Sequence, residues 1–277
     1  MAPVLDPRVA GRVEAALAAG ALEIPVLGEA VARLVAEAKN PDADVRRVAE
    51  LVKRDPALAG NLLALANASS YAGREPAATL QQAVARLGTS ALRDLALVVA
   101  AKARAFAVPG RHAEMRARFA AAFAAALFAQ DIARVRRLGV EEAFLIGLFH
   151  DVGWPIALQL VASAARAEGV EVDAAAASAA ADALHAEIGA RAVASWRLDP
   201  AVAEAVRWHH DWAAGGRGAA LAALSSALAC AALAPSPEAD AAVRAHEARE
   251  VLGLYDDDIE RALAAGPTYA AQAQEVA

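Results

Sequence analysis

The stretch from Leu145 to Pro155 constrains this chain more than any other part of its sequence. It reads Leu-Ile-Gly-Leu-Phe-His-Asp-Val-Gly-Trp-Pro, so an apolar run reaches the adjacent His150 and Asp151 and then breaks at Gly153. Burying a carboxylate is costly unless it pairs with a cation or binds a metal. The pattern therefore predicts a metal site or a hydrogen-bond network at the end of a buried helix. The alternative is a helix end at which both side chains reach solvent or cap the next helix.

The composition predicts an all-α fold. Of the 277 residues, 58% are hydrophobic and only 5% are aromatic, because alanine, leucine and valine make up most of the apolar fraction. Alanine is the best helix former, so this composition favours thin helices that pack closely. A chain of this length can bury a large core in one large domain or two modest ones.

The net charge argues against a protein that holds nucleic acid by neutralising phosphates. The formal charge is -6 and the pI is about 5.6, whereas such proteins are usually basic. Basic residues nevertheless outnumber acidic ones in the middle of the chain. A local site for an anion or an acidic partner there is the alternative to a solvated surface. These basic residues are Arg93, Lys102, Arg104, Arg111, Arg116, Arg118, Arg134, Arg136 and Arg137.

The sequence also predicts where the protein resides. Cys230 is the only cysteine, so no internal disulfide can form, as is typical of the reducing cytoplasm. Its place in an Ala/Leu run predicts a small buried side chain rather than a reactive thiol. The first turns carry charges and predict no signal peptide. The uncharged run from Gly218 to Pro237 has too few leucines to predict a membrane span. We expect a soluble, cytoplasmic protein with no membrane contact.

Helix signals divide the chain into parts. Asp55-Pro56 and Asp199-Pro200 each combine an N-cap with a proline at the first helical position. Thr79-Leu80-Gln81-Gln82 matches a capping box. Val108-Pro109-Gly110 is the clearest internal break, but no long polar linker accompanies it. The segments on either side are therefore predicted to form one module.

The predicted organisation has three parts. Residues 1–19 form an N-terminal helix. Residues 20–235 form the main module, divided into an N-terminal helical lobe over 20–108 and a second lobe over 111–235 that carries the His-Asp pair. Residues 236–277 form an acidic, helical C-terminal tail, whose charges are typical of solvated surface.

Five short motifs occur in an order that resembles a known family. They are Ile24-Pro25-Val26-Leu27, Asp55-Pro56-Ala57-Leu58, Asn67-Ala68-Ser69-Ser70-Tyr71, Leu87-Gly88 and Phe149-His150-Asp151-Val152-Gly153. The last resembles the signature of the HD superfamily of metal-dependent phosphohydrolases. The ordered set is similar to the signalling branch of that superfamily, the HDOD (HD-related output) domain. The resemblance covers about residues 20 to 235 and implies an HD-superfamily-like helical bundle with an additional N-terminal helical lobe.

The resemblance implies a helical cage that brings histidines and aspartates onto one or two divalent metals, which activate water against a phosphoester. The first metal would use His150, Asp151, an early histidine and a late aspartate. The early histidine would lie in the segment from Met115 to Phe119, and the late aspartate near Ala229 or Cys230. This sequence has neither. The first site is therefore degenerate, and hydrolysis by the usual mechanism is not expected.

The second implied ligand set is more complete. His185, His209 and His210 match the later histidines of the family, and Asp151 can join them. Imidazoles with a carboxylate suit zinc, iron or nickel. No cofactor is required for the predicted function, but one divalent transition metal held by these residues, with His150 as a further candidate ligand, is a hypothesis. The alternative is a buried hydrogen-bond network that joins helices.

Trp154 stands where active members of the family commonly carry lysine. This substitution removes a cation able to stabilise phosphate charge. The candidates for binding or relaying a ligand are His150, Asp151, Trp154, Arg116 and Arg118.

The resemblance and the degenerate first site favour a non-catalytic bacterial signalling protein of the HDOD type. It would act by binding a signalling protein in trans, or a nucleotide or other small ligand, and a homo-oligomer is compatible with this role. The alternative is an enzyme, namely a phosphohydrolase or cyclic-dinucleotide phosphodiesterase with one metal. Nucleic-acid binding through the basic middle segment is a third hypothesis, and the acidic net charge counts against it.

Overall fold

The computed structural model describes residues 4–25, 28–37, 49–50, 52–53, 56–67 and 77–277, which contain helices and no strand. The predicted all-α class is confirmed for these residues. The helices are α1 (Pro7–Ala18), α2 (Glu29–Glu37), α3 (Pro56–Ala66), α4 (Leu80–Ala100), α5 (His112–Arg136), α6 (Val140–Phe149), α7 (Gly153–Glu168), α8 (Ala174–Ser195), α9 (Pro200–Trp208), α10 (Trp212–Leu233), α11 (Pro237–Arg244), α12 (Ala248–Leu252) and α13 (Asp256–Val276).

Two of the predicted helix starts have the expected caps. Asp199 accepts a hydrogen bond from the backbone N–H of Ala201 at 2.9 Å, and α9 begins at Pro200. Thr79 and Gln82 form a reciprocal capping box at the start of α4, with both hydrogen bonds at 3.1 Å. Helix α3 begins at a proline as predicted, but its cap and most of the Asn-Ala-Ser-Ser-Tyr loop lie outside the described residues.

Helix α4 is interrupted at Gly88 and ends in a π-helical segment. Gly88 has a φ of 82°, a backbone conformation that favours glycine, so the chain kinks at the Leu-Gly motif. The helix continues as a π-helix over Ala101–Ala105. The carbonyl of Ala105 accepts a hydrogen bond from Gln159 of α7 at 3.1 Å. The end of α4 is therefore tied to the second lobe.

An ion-pair cluster also joins the two lobes. Arg93 of α4 donates to Asp94 Oδ1 from Nη2 at 2.6 Å and from Nε at 3.0 Å. Its Nη1 lies 3.2 Å from Glu141 Oε2 of α6. Burial raises the pKa of Asp94 to about 6, although the charge of Arg93 acts in the opposite direction.

The stability of Asp94→Asn relative to wild type should increase with pH. The folded-state pKa of Asp94 lies above the unfolded value, so the stability that the neutral carboxyl contributes is present at low pH and lost as the pH rises through 6. Asparagine does not titrate. Between about pH 4 and pH 8 the difference in free energy of unfolding should move in favour of the variant by about 2 kcal/mol. Urea denaturation at each pH measures this difference, and a constant value would contradict the raised pKa.

Small residues let the helices of the second lobe approach each other closely. A Cβ on Gly147 of α6 would lie 2.5 Å from Ala126 Cα of α5. A Cβ on Gly153, the first residue of α7, would lie 1.9 Å from the carbonyl oxygen of His185 and 2.4 Å from the backbone nitrogen of Gly189, both in α8. The start of α7 therefore lies directly against the middle of α8.

The C-terminal helix α13 packs onto α5 and onto the π-helical segment that follows α4. The ring of Tyr269 in α13 meets Phe128 of α5 edge-on, with centroids 4.9 Å apart, and its hydroxyl donates to Asp131. Lys102 Nζ donates to the carbonyl oxygen of Val276 at 2.6 Å. Residues of the predicted acidic tail thus contribute to the core.

The prediction that Cys230 is buried is wrong. Its side chain lies on the exposed face of α10, between the buried Ala229 and Ala231. Alanine and leucine occupy every face of this helix, so their pattern does not distinguish inward from outward positions. Partial burial of the thiol and the negative charge of Asp151 raise the pKa of Cys230, so the thiolate is disfavoured.

Within the described part of the chain, two segments are long and apolar enough to cross a membrane, Val140–Glu168 and Trp212–Leu233. The first contains α6 and α7, and 83% of its most apolar window is buried inside the protein; for the second the share is 50%. Core helices of a soluble protein have this property. The burial is consistent with a soluble protein, and the run from Gly218 to Pro237 lies mostly in α10.

Candidate metal centre

Three segments of the second lobe converge on one point. Asp151 lies in the turn between α6 and α7, His185 lies in α8, and His209 and His210 follow the last residue of α9. One potential ligand atom from each of these four side chains lies within 4.8 Å of all the others. The fold therefore brings together four of the five predicted metal ligands, which are separated by up to 59 positions in the sequence.

The distances within this cluster suit a single metal ion. His185 Nε2 lies 3.2 Å from His209 Nε2 and 2.8 Å from His210 Nε2. Asp151 Oδ1 lies 3.4 Å from the Nε2 atoms of His185 and His209. In a tetrahedral zinc site with Zn–N bonds of about 2.0–2.1 Å, neighbouring ligand atoms are about 3.3 Å apart. Asp151, His185 and His209 thus have the spacing of ligands on one metal, and His210 lies close enough to be a fourth, because all four ligand atoms lie within 4.8 Å of one another.

The backbone determines which nitrogen faces the cluster. His185 Nδ1 lies 2.7 Å from the carbonyl oxygen of Asp182, and His209 Nδ1 lies 2.6 Å from that of Val206. A carbonyl only accepts hydrogen bonds, so each Nδ1 carries the proton and each Nε2 presents a lone pair. This is the orientation that metal-binding histidines usually have.

The same tautomers favour metal binding over a neutral hydrogen-bond network. His210 can donate to His185 Nε2, which accounts for their contact at 2.8 Å. The Nε2 atoms of His185 and His209 and the Oδ1 atom of Asp151, however, are three acceptors within 3.4 Å of each other. While both imidazoles are neutral, no hydrogen bond forms among these three atoms, so a metal ion or a second proton on one imidazole is needed to offset their repulsion. Metal binding fits this donor set better than a neutral network does.

The protonation states agree with metal binding. Burial by itself would raise the pKa of Asp151, but the imidazoles around it, that of His150 first, hold this pKa well below its usual range. Burial lowers the pKa of His150 and of His185, and lowers that of His210 to about 4. An ionised carboxylate with neutral imidazoles is the combination that binds a divalent metal.

His150 lies beside the cluster and not within it. Its ring is buried, its Nδ1 lies 2.8 Å from the carbonyl oxygen of Gly147, and its Nε2 lies 3.7 Å from Asp151 Oδ2. At the positions expected to complete a site around it, Met115 and Ala229 are buried and provide no carboxylate or imidazole. The described residues therefore form one complete ligand set, at Asp151 and the later histidines.

A second layer of contacts surrounds the cluster. Trp154 is buried, and its Nε1 donates to Asp182 Oδ1 at 2.7 Å. The guanidinium carbon of Arg118 lies 3.4 Å from the centre of the Trp154 ring. Arg116, the other arginine predicted to bind a ligand, is exposed, and its charge helps to lower the pKa of Lys102. It therefore lies on a different side of α5 from Arg118.

Asp182 has a role that sequence reasoning missed. Its carboxylate holds Trp154, and its carbonyl holds His185. The available signal was its position three residues before His185, which places both on one face of a helix. Spacing alone did not identify its partner, because that partner lies on a different helix.

Trp154→Phe should lower the free energy of unfolding by about 1–2 kcal/mol and weaken metal binding by up to about tenfold. The substitution keeps the aromatic ring but removes the partly buried hydrogen bond from Trp154 Nε1 to the carboxylate of Asp182. Trp208→Phe is the matched control, because its Nε1 bond to Glu204 is exposed. The control should change stability by less than about 0.5 kcal/mol. Denaturation and zinc titration measure the two effects. If both variants lost the same free energy of unfolding and the same zinc affinity, Trp154 would not be a positioning residue.

The profile of the HDOD domain matches residues 24–212 of this chain. The chain belongs to the HDOD family. This membership confirms the resemblance found in the sequence motifs, and the matched span includes the whole four-residue cluster.

Solved structures share the fold of this HDOD protein along nearly its whole length. A protein from Shewanella amazonensis SB2B, provisionally assigned as a metal-dependent phosphohydrolase, superimposes with a TM-score of 0.72 and is 19% identical. The match covers 96% of this chain and 97% of that protein. An HDOD domain protein of unknown function from Geobacter sulfurreducens has a TM-score of 0.70 and 21% identity, with coverage of 97% of this chain and 99% of that one. These TM-scores establish a common fold, and they confirm the predicted HD-like helical architecture.

Two further relatives are longer than this chain. A protein from Marinobacter aquaeolei VT8, provisionally assigned to signal transduction, has a TM-score of 0.66 and 21% identity, with coverage of 97% of this chain and 65% of that protein. An uncharacterised protein from Treponema pallidum (strain Nichols) is 24% identical over 201 residues, which are 68% of this chain but 38% of that protein. The HDOD chain thus spans well under half of the length of the latter relative.

Proposed function

We propose that this HDOD protein is a non-catalytic, cytoplasmic regulator in bacterial signal transduction that contains one structural transition metal at Asp151, His185, His209 and His210. The observation that carries the proposal is the set of three atoms from Asp151, His185 and His209 that face each other at 3.2 to 3.4 Å, which is the spacing of ligand atoms around one metal ion. A signalling protein in trans, or a nucleotide or other small ligand, would receive or provide the signal.

The ligand residues would link the helices that a conformational change has to move. Asp151 is joined to the start of α7, His185 belongs to α8, and His209 and His210 connect α9 to α10. When bound, a divalent metal supplies a Lewis acid and a cross-link between these segments. His185 and His209 are oriented in the cluster by the hydrogen bonds from their Nδ1 atoms to the backbone carbonyls of Asp182 and Val206. A ligand that binds one arrangement of these helices better would shift the population toward it.

The residues around the cluster support regulation rather than hydrolysis. Two-metal phosphoester hydrolysis requires a second complete ligand set. Around His150 the described residues provide Asp151 but no further imidazole or carboxylate from Met115 or Ala229. A solved relative in fold that is provisionally assigned to signal transduction is in line with this role.

Elemental analysis of untagged protein tests the proposal, together with an assay of turnover on bis-p-nitrophenyl phosphate and cyclic dinucleotides. We expect close to one zinc, iron or nickel ion per chain after aerobic or anaerobic purification, and no metal-dependent turnover. Absence of metal from both preparations, with no uptake on titration, would overturn the metal centre.

A mononuclear phosphodiesterase is the second candidate function. It is favoured by the same cluster, because a carboxylate and three imidazoles resemble the ligands of catalytic metal sites, and by a relative in fold that is provisionally assigned as a metal-dependent phosphohydrolase. Metal-dependent turnover that disappears in Asp151→Ala, while the variant stays folded, would replace the regulatory proposal with this one.

A further inference from the structure

The position of Arg118 is set by a rigid aromatic ring. Its guanidinium carbon lies 3.4 Å from the centre of the Trp154 ring, well inside the range of about 6 Å over which a cation is attracted to an aromatic face. The ring itself is buried and is held at its Nε1 by Asp182. Arg118 therefore occupies a defined place, although it extends from α5 and its support belongs to α7.

The donors of Arg118 are little used within the protein. Among the described residues its ion-pair partner is Glu114, and Arg118 Nε lies 3.7 Å from Glu114 Oε1, which is longer than a hydrogen bond. Its side chain is 30% exposed. Arg111, the residue just before the same helix, differs, because it bonds to Glu114, Ser178 and the carbonyl of Ala174 at 2.9 to 3.0 Å. Arg111 thus has a structural role, whereas Arg118 retains donors for another group.

The supporting ring lies next to the metal centre. The backbone N–H of Trp154 donates to the carbonyl of Asp151 at 3.0 Å, so the ring follows that ligand by one turn. Asp182 precedes His185 by one turn and bonds to its Nδ1 through the carbonyl. Trp154 therefore contacts the elements that position two of the four proposed ligands. Arg118 is stacked on this ring, so its cation is one side chain away from these elements.

We infer that Arg118 is an anion-binding residue beside the metal centre and that it takes a phosphate group, free or as part of a phosphate ester. This inference rests on the proposed metal centre and names the class of ligand that binds next to it. Stacking uses the face of a guanidinium, so the N–H groups in its plane remain directed outward in a fork that matches phosphate oxygens. The phosphate oxygens that point away from the metal centre would accept hydrogen bonds from this fork.

Titration of zinc-loaded, untagged protein with inorganic phosphate, followed by calorimetry, tests the inference. Arg118→Gln should weaken phosphate binding by about tenfold or more, the usual effect of losing a hydrogen bond to a charged group. Arg118→Lys keeps the charge but loses the planar fork, and it should bind phosphate with intermediate affinity. Arg116→Gln is the matched control, because this exposed arginine lies two residues away on the same helix. The control should change affinity by less than about twofold.

The outcomes separate this inference from the proposed metal centre. Zinc stoichiometry, measured first, should be the same in all four proteins, since none of the substitutions removes a ligand. The same phosphate titration on metal-free protein tests Arg118 even where no zinc is retained. Phosphate binding that is absent from the wild type in both forms, unchanged in Arg118→Gln, or equally reduced in Arg116→Gln would overturn the inference. Circular dichroism of each variant shows that it is folded.

Discussion

Gly153→Ala should lower the free energy of unfolding by about 3 kcal/mol or more, the largest effect that we expect from a single methyl group in this protein. The added Cβ would lie 1.9 Å from the carbonyl oxygen of His185 and 2.4 Å from the backbone nitrogen of Gly189. Both are backbone atoms, so the contact can be relieved only by moving α7 away from α8. The same movement would separate Asp151 from His185 and disrupt the metal centre.

Urea denaturation and zinc titration measure these two effects. Gly11→Ala in α1 is the control, because a Cβ there meets nothing within 4 Å. In a helix interior this substitution should stabilise the protein by up to about 1 kcal/mol. If Gly153→Ala were as stable as the control and still bound zinc, the close approach of α7 and α8 would not be required for the centre.

Asp151→Asn should weaken metal binding by more than about 100-fold, because loss of a direct ligand costs more than the roughly 10 to 100-fold loss seen for outer partners. Asp151 is the one carboxylate in the cluster, and its Oδ1 lies 3.4 Å from two of the imidazole nitrogens. Asparagine has nearly the same size but carries no charge. The three histidines would remain, without a negative ligand to offset the charge of the ion.

Competition with a chromophoric chelator measures this affinity. His112→Gln is the control, since His112 is an exposed imidazole at the start of α5 and lies outside the cluster. It should leave zinc binding unchanged. Zinc affinity that is the same in Asp151→Asn and in wild type, at equal helical content, would mean that the metal is held elsewhere.

Much of the fold could be predicted because its signals are local. An N-cap with a following proline at Asp199, and the capping box of Thr79 and Gln82, depend on residues within one turn of each other. Inward and outward positions on the alanine-rich helices were harder to predict, as Cys230 shows. Alanine is found on every face of such helices, so hydrophobic periodicity is too weak to orient them.

The residues of the candidate site could also be predicted in part. The adjacent His150 and Asp151 at the end of an apolar run indicated a metal centre, and the family motifs supplied His185, His209 and His210. Sequence alone did not show that His150 lies 3.7 Å from the carboxylate and outside the four-residue cluster. That difference arises from the direction in which each ring leaves its helix.

The helical class, several helix starts and the types of ligand were predictable from the residues, because they depend on backbone preferences and on residue chemistry. Which side chains meet depends instead on how the helices pack. The contact of Gly153 with α8 brings Asp151 to His185, and the packing of α5 places Arg118 on Trp154. Such contacts join residues that are distant in the chain, and they follow from how closely helices can approach rather than from the pattern within any one of them.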